Sequence, residues 1–222
     1  MKAKELNRAT PKTKIYLDMD GVLANFFAEY AKLAGVKTYR DIPLASADPT
    51  LEKMVGTDFF SKLPKFPTTD SLVKLVLQYA DHYNICSSPL RKDFDNSAKH
   101  KKIWLKQNLN PQPKDIIITS IKERHAVQPD GTPNILIDDR GTNIVAWRAN
   151  GGIGIKYQAD EDSLQMVANE LNKAYGKIGE AYDYHYGLDP ERLTYRHKIG
   201  KIYGKKNLKV PHAKYHAKRT NK

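Results

Sequence analysis

Two aspartates stand one residue apart in Asp18-Met19-Asp20-Gly21-Val22-Leu23, at the end of the apolar run Lys14 to Asp18 (KIYLD). Carboxylates so spaced can divide labour, one projecting inward as nucleophile or metal ligand while the other turns toward a leaving group. Gly21 lets the chain bend sharply behind them. An isolated Asp-x-Asp-Gly is more often a plain turn. Here, however, a second acid pair ends another apolar run, Asn134-Ile-Leu-Ile-Asp138-Asp139-Arg140. Three or four converging carboxylates repel one another without a cation, and hard oxygen ligands beside an open position suit Mg²⁺ with its retained waters. Asp139 could cap a helix as well.

Groups suited to an anion occur at other run ends. Ser87 and Ser88, in Ile85-Cys-Ser-Ser-Pro89, offer hydroxyls and backbone N–H groups, and Arg91 follows two residues past the proline. Lys99, Lys101 and Lys102 come next, on a stretch with helical spacing. A cation touching both a phosphate and its nucleophile would offset the charge developed in phosphoryl transfer. Taken singly these residues are ordinary, since serines before a proline make turns and lysines solvate helices.

The elements that must position these groups can be read from the apolar pattern. Five short runs rich in Ile or Val have the look of buried parallel strands: Lys14 to Asp18, Tyr83 to Ser87, Asp115 to Thr119, Asn134 to Asp138 and Ile153 to Tyr157. Helical spacing separates them at Ser71 to Tyr79, Ser97 to Gln107 and Thr142 to Arg148, and follows them at Glu161 to Leu171, a helix expected to begin with its acids. The alternation predicts an α/β fold, a doubly wound parallel sheet with helices on both faces and a ligand site beyond the carboxyl ends of the strands. About 64 residues separate the first two runs, far more than one crossover helix needs. They predict a small helical cap, with one helix over Ala24 to Ala34, one or two more over Leu51 to Leu63, and Gly35 and a loop from Pro43 to Pro49 between them. The expected organisation is a core of residues 1–22 and 66–180, a cap of 23–65, and an extension of 181–222 that becomes irregular from Tyr182 to Tyr186.

Charge is divided unevenly along the 222 residues. The net charge is +12, yet Arg192 to Lys222 holds eleven Lys or Arg and no acid, so the rest of the chain is nearly neutral. Tyr195, Tyr203, Tyr215, His197, His212 and His216 are interleaved there, a composition suited to nucleic acid or to mere solubilisation. No stretch approaches the roughly 18 apolar residues of a membrane helix, the start MKAKELNRATPKTK lacks the apolar core of a signal peptide, and the single Cys86 makes no internal disulfide. A soluble, cytoplasmic globular protein without membrane contact is expected, its oligomeric state open.

In order and context, IYLDMDGVL, ICSSPLR, the lysine three residues before Trp104-Leu105, and LIDDR resemble the haloacid dehalogenase (HAD) superfamily of phosphohydrolases, over roughly Lys14 to Tyr157. The fit is closer to its 5'(3')-deoxyribonucleotidase branch. The resemblance implies a HAD Rossmann-like core and a Mg²⁺-dependent 5'-nucleotidase that hydrolyses nucleoside monophosphates, deoxyribonucleotides in the first place, through an aspartyl-phosphate. Asp18 would be the nucleophile, and Asp20 the general acid and then base. Mg²⁺ would be held by the Asp18 carboxylate, the Asp20 main-chain carbonyl, and Asp138 with Asp139 directly or through water. Ser87 would bond the transferring phosphoryl group, with Ser88 and Arg91 gripping the phosphate; Arg91 replaces a lysine of that branch. Lys101 matches the motif lysine by its spacing from Trp104, with Lys99, Lys102 and, more weakly, Lys122 as alternatives. Phe26 would stack on the nucleobase, if it is not simply cap core, with Phe59 and Phe60 as further aromatics. The loop Arg124 to Thr132 is longer than in that branch and the basic tail has no counterpart there. They leave room for two rivals: a 3'- or 5'-phosphatase acting on nucleic-acid ends, and a catalytically idle protein that binds nucleic acid through its tail.

Overall fold

The computed structural model describes residues 13–185, so the first twelve residues and the basic tail lie outside it. Five strands, β1 (Ile15–Leu17), β2 (Asn84–Ser87), β3 (Ile116–Ile118), β4 (Ile135–Asp138) and β5 (Ile153–Lys156), form one all-parallel sheet in the order β3-β2-β1-β4-β5. Each lies within its expected apolar run. The chain winds outward from β1 through β2 to β3 and then returns to the other side of β1 as β4, so the switch in winding direction falls between β1 and β4. Ligands of such sheets bind beyond the strand ends at that switch.

Alternation along the strands assigns the two faces. Ile15, Leu17, Ile85, Ile135, Ile137, Ile153 and Ile155 point into the larger core, which the helices α3 (Thr69–Val76), α4 (Phe94–Asn108) and α6 (Leu164–His185) cover with Leu72, Val76, Trp104 and Leu171. Tyr16, Cys86 and Leu136 point the other way, against Ile144 and Trp147 of α5 (Gly141–Ala149). Both tryptophans are fully buried. Truncating either to alanine costs about 3–5 kcal/mol by loss of transfer energy and cavity formation. The fold is therefore α/β and Rossmann-like, and no helix among the described residues is long and apolar enough to cross a membrane.

The long interval after β1 leaves the sheet and returns at one place. Asn25 N donates to Pro64 O (2.8 Å) and Phe66 N to Leu23 O (3.0 Å), which zips the two ends of the insertion together. Inside it, α1 (Phe26–Ala34) is capped by Asn25 Oδ1, which accepts from Ala28 N (3.2 Å), and ends at Gly35 in the left-handed region.

Four expectations need correction. Pro43 to Pro49 is not a loop, because α2 (Leu44–Glu52) runs through it. Pro49 removes one backbone bond, but Thr50 Oγ1 donates to Ser46 O (2.7 Å) and Tyr30 OH to Ala47 O (3.1 Å), which helps hold this helix in place. Leu51 to Leu63 is consequently not helical throughout: turns follow α2 at Gly56 (φ 71°), before one 3-10 turn over Phe59–Lys62. The last helix starts at Leu164 rather than Glu161; Asp162 accepts from Gln158 N (2.8 Å) in the preceding turn, and Ser163 Oγ accepts from Met166 N (3.3 Å). That helix also continues through residues 182–185, since no proline interrupts the chain before Pro190.

Candidate active site

Asp18 follows β1 directly, Asp138 is the last residue of β4, and these strands are neighbours, so the winding switch brings the two carboxylates together. Lys122, in the 3-10 turn after β3, sits between them with Nζ 2.8 Å from Asp18 Oδ2 and 2.7 Å from Asp138 Oδ2. Asp18 Oδ1 accepts from Met19 N (2.7 Å). Asp138 accepts from Arg140 N (2.8 Å) and, on both oxygens, from Asn143 Nδ2 (3.1 Å each). Asp18, Asp138 and Asp139 each present an oxygen, all within 4.8 Å of one another. Three carboxylates of this kind could hold a metal ion.

Their electrostatics follow from burial and from surplus negative charge. Burial drives Asp18 upward, but Lys122, then Lys101, and hydrogen bonds from Lys122 and Ser87 outweigh it and leave Asp18 below the ordinary carboxylate range. Asp138 is raised by burial and then by Asp18. Asp139 is pushed up to about 8 by burial, then by Asp18 and Asp138. Burial opposes the charge on Lys122, yet Asp18 and Asp138 on either side hold its ammonium above the usual lysine value. One ammonium among three carboxylates leaves the cluster short of positive charge, and its all-oxygen donor set is the kind hard divalent cations take.

Gly21 makes the approach possible. Its φ is 74°, and a Cβ there would come within 2.8 Å of Phe27 Cε2 and 2.9 Å of Asp139 Cγ. Only glycine accepts both the conformation and the contact.

A second group lies on the β2 side. Lys101 of α4 is fully buried, with Nζ 2.6 Å from Asp20 Oδ2 and 3.0 Å from Ser87 Oγ at the end of β2. The same ammonium stands 4.8 Å from the centre of the Phe60 ring. Burial raises Asp20, and Lys101 only partly offsets it. No protein-family model matches this chain, and no curated protein does.

Of the residues singled out in the sequence, Asp18, Asp138 and Asp139 therefore share one cluster, while the Asp20 carboxylate pairs with Lys101, which also reaches Ser87. Ser87 touches both groups, accepting from Lys101 and donating to Asp18. Ser88 is half-buried and Arg91 exposed, on the segment leaving β2. Lys99 and Lys102 are exposed, on the outer side of α4. Phe26 is half-buried at the hub of a ring cluster, stacked on Tyr30 (5.4 Å) and Phe60 (6.2 Å) and edge-on to Phe59 (6.1 Å). Phe60 is 3% exposed and its ring is occupied by Phe26 and Lys101, whereas Phe26 and Phe59 keep exposed surface.

One feature was underrated in the sequence and two escaped it. Lys122, ranked below Lys101, is the lysine between Asp18 and Asp138; its place four residues past β3, at the ligand edge, was the available signal. Asn143, one turn into α5, orients Asp138. Phe27, backed by Tyr39 at 4.3 Å, walls the turn at Gly21. Neither of these two carries a signal distinguishable from ordinary helix composition.

Proposed function

We propose that this chain is a HAD-type, Mg²⁺-dependent phosphomonoesterase that hydrolyses nucleoside monophosphates, deoxyribonucleotides among them, through a phosphoryl group carried on Asp18. The observation that carries the reading is the position of Asp18: a carboxylate at the winding switch, held ionised by Lys122 and Lys101, beside two further carboxylates, with a separate protonatable carboxyl in Asp20. A nucleophile must be ionised and a general acid must hold a proton; Lys122 and Lys101 outweigh burial at Asp18 and bring it below the ordinary range, whereas burial prevails at Asp20 and raises it.

Asp18, Asp138 and Asp139 would hold the ion, which when bound neutralises charge on the phosphoryl oxygens. Asp18 attacks phosphorus, and Ser87 and Lys122 face the oxygens on which charge develops. Asp20 gives its proton to the departing alcohol and later takes one from the attacking water. Phe26 and Phe59, the rings with exposed surface, supply the apolar wall for a base.

The test is a panel of nucleotides, sugar phosphates and end-phosphorylated oligonucleotides with and without Mg²⁺. Turnover of nucleoside monophosphates that requires both the ion and Asp18 supports the reading; inactivity on the whole panel, accompanied by salt-dependent nucleic-acid binding, would favour an idle binding protein. The eleven unopposed positive charges from Arg192 to Lys222 favour a second substrate, the phosphorylated end of a nucleic acid. In that case oligonucleotide turnover falls steeply with rising salt while mononucleotide turnover does not.

A further inference from the structure

Two buried lysines serve this site, and only Lys122 lies within the carboxylate cluster. We infer that Lys101 is a positioning residue for the proton donor Asp20, and that Phe60 of the inserted segment holds Lys101 to that task. The inference rests on the phosphatase reading and assigns Lys101 a part other than gripping phosphate.

An ammonium with no exposed surface must be compensated on every side. Lys101 is compensated by the Asp20 carboxylate at 2.6 Å, the Ser87 hydroxyl at 3.0 Å and the Phe60 ring at 4.8 Å. Its helix is anchored one turn away, where fully buried Trp104 donates from Nε1 to Leu63 O of the insertion (2.6 Å). The lysine is therefore a fixed strut between the insertion and the turn after β1. What it fixes is one oxygen of Asp20. Oδ2 is taken by Lys101, whereas Oδ1 is buried and has no hydrogen-bond partner among the described residues. Lys101 thereby sets the orientation of the Asp20 carboxyl, which is not one of the three whose oxygens gather within 4.8 Å of one another.

The step that depends on this strut is leaving-group departure. As an Asp18 oxygen forms its bond to phosphorus, the bond from phosphorus to the ester oxygen breaks and its electron pair stays on that oxygen. The proton on the Asp20 carboxyl moves to the same oxygen and releases the neutral alcohol. Lys101 keeps its own protons throughout. An alkyl ester such as a nucleoside 5'-monophosphate needs this proton; p-nitrophenyl phosphate releases a stable phenolate and does not.

The experiment is the pre-steady-state burst of leaving-group release from both esters, on the full chain with Mg²⁺. Lys101→Met should slow release from the nucleotide about a hundredfold, the scale of general-acid catalysis, with a loss on the aryl ester at least about tenfold smaller. Phe60→Leu should shift the two esters in the same sense by a smaller ratio, and combining Lys101→Met with Asp20→Asn should slow the nucleotide no further than Asp20→Asn alone. Equal losses on the two esters overturn the inference, since a lysine that binds phosphate or merely supports the fold affects both alike. Should Lys101→Met fail to fold, the ester ratio of Phe60→Leu decides in the same way. A wild-type chain inert on both esters overturns the phosphatase reading and this inference with it.

Discussion

The two sides of the site solve the same problem, a lysine buried among aspartates, with different materials. On the β4 side, Asp18, Asp138, Asp139 and Lys122 come from the ends of the sheet's own strands and the turns that follow them, and the excess charge is negative. On the β2 side, Lys101 meets one carboxylate, one hydroxyl and one ring, and that ring belongs to the inserted segment. The first arrangement is short of positive charge. The second is balanced and depends on the insertion for its shape. The proposed nucleophile and ion-holding groups are thus built into the core, whereas the proposed proton donor is coupled to the inserted segment. Ser87 is the contact between them.

Changes on the β4 side should have the larger effects. Asp18→Asn removes the attacking charge while keeping the side chain's shape, and turnover should fall about ten-thousandfold with far-ultraviolet circular dichroism unchanged. Lys122→Met leaves Asp18 and Asp138 facing each other without their shared ammonium, and should cost about 3–5 kcal/mol in urea unfolding. A loss below about 1 kcal/mol would mean that the core does not need Lys122 to hold its carboxylates together.

Gly21→Ala probes the turn that links the two sides. A Cβ at φ 74°, within 3 Å of both Phe27 and Asp139, should lower stability by about 1–3 kcal/mol, read as a fall in Tm. The smallest effect is on ion binding. Asp139 is pushed up to about 8, so a proton competes with the ion below that pH, and affinity for Mg²⁺ should weaken about fivefold as pH falls from about 8 to 7. Titration calorimetry giving a pH-independent affinity would place the ion away from Asp139.

The same contrast explains what could be read from the residues in advance. Strand ends are legible because an apolar run that stops at an acid or a hydroxyl residue marks both the element and its ligand edge; Asp18, Asp138 and Ser87 all stand at such ends. Lys122 stands there too, but in a 3-10 turn of polar residues, KERH, where no periodicity distinguishes a buried lysine from a solvated one. The insertion was the less legible part, since its packing is set by tertiary contacts. Pro49 reads as a breaker although α2 runs through it, and nothing local separates Phe60, buried under Lys101, from Phe59 with its partly open ring. Tertiary bonds from Tyr30 and Trp104 hold these segments in place.

The proposed mechanism requires Asp18 to take up a phosphoryl group. Acid quenching of the full chain during turnover of a nucleoside monophosphate with Mg²⁺, followed by peptide mass spectrometry, measures this directly. The prediction is one added phosphoryl group on the peptide bearing Asp18, lost on treatment with hydroxylamine and absent when the ion is withheld. Sustained hydrolysis with that peptide unmodified throughout would contradict it.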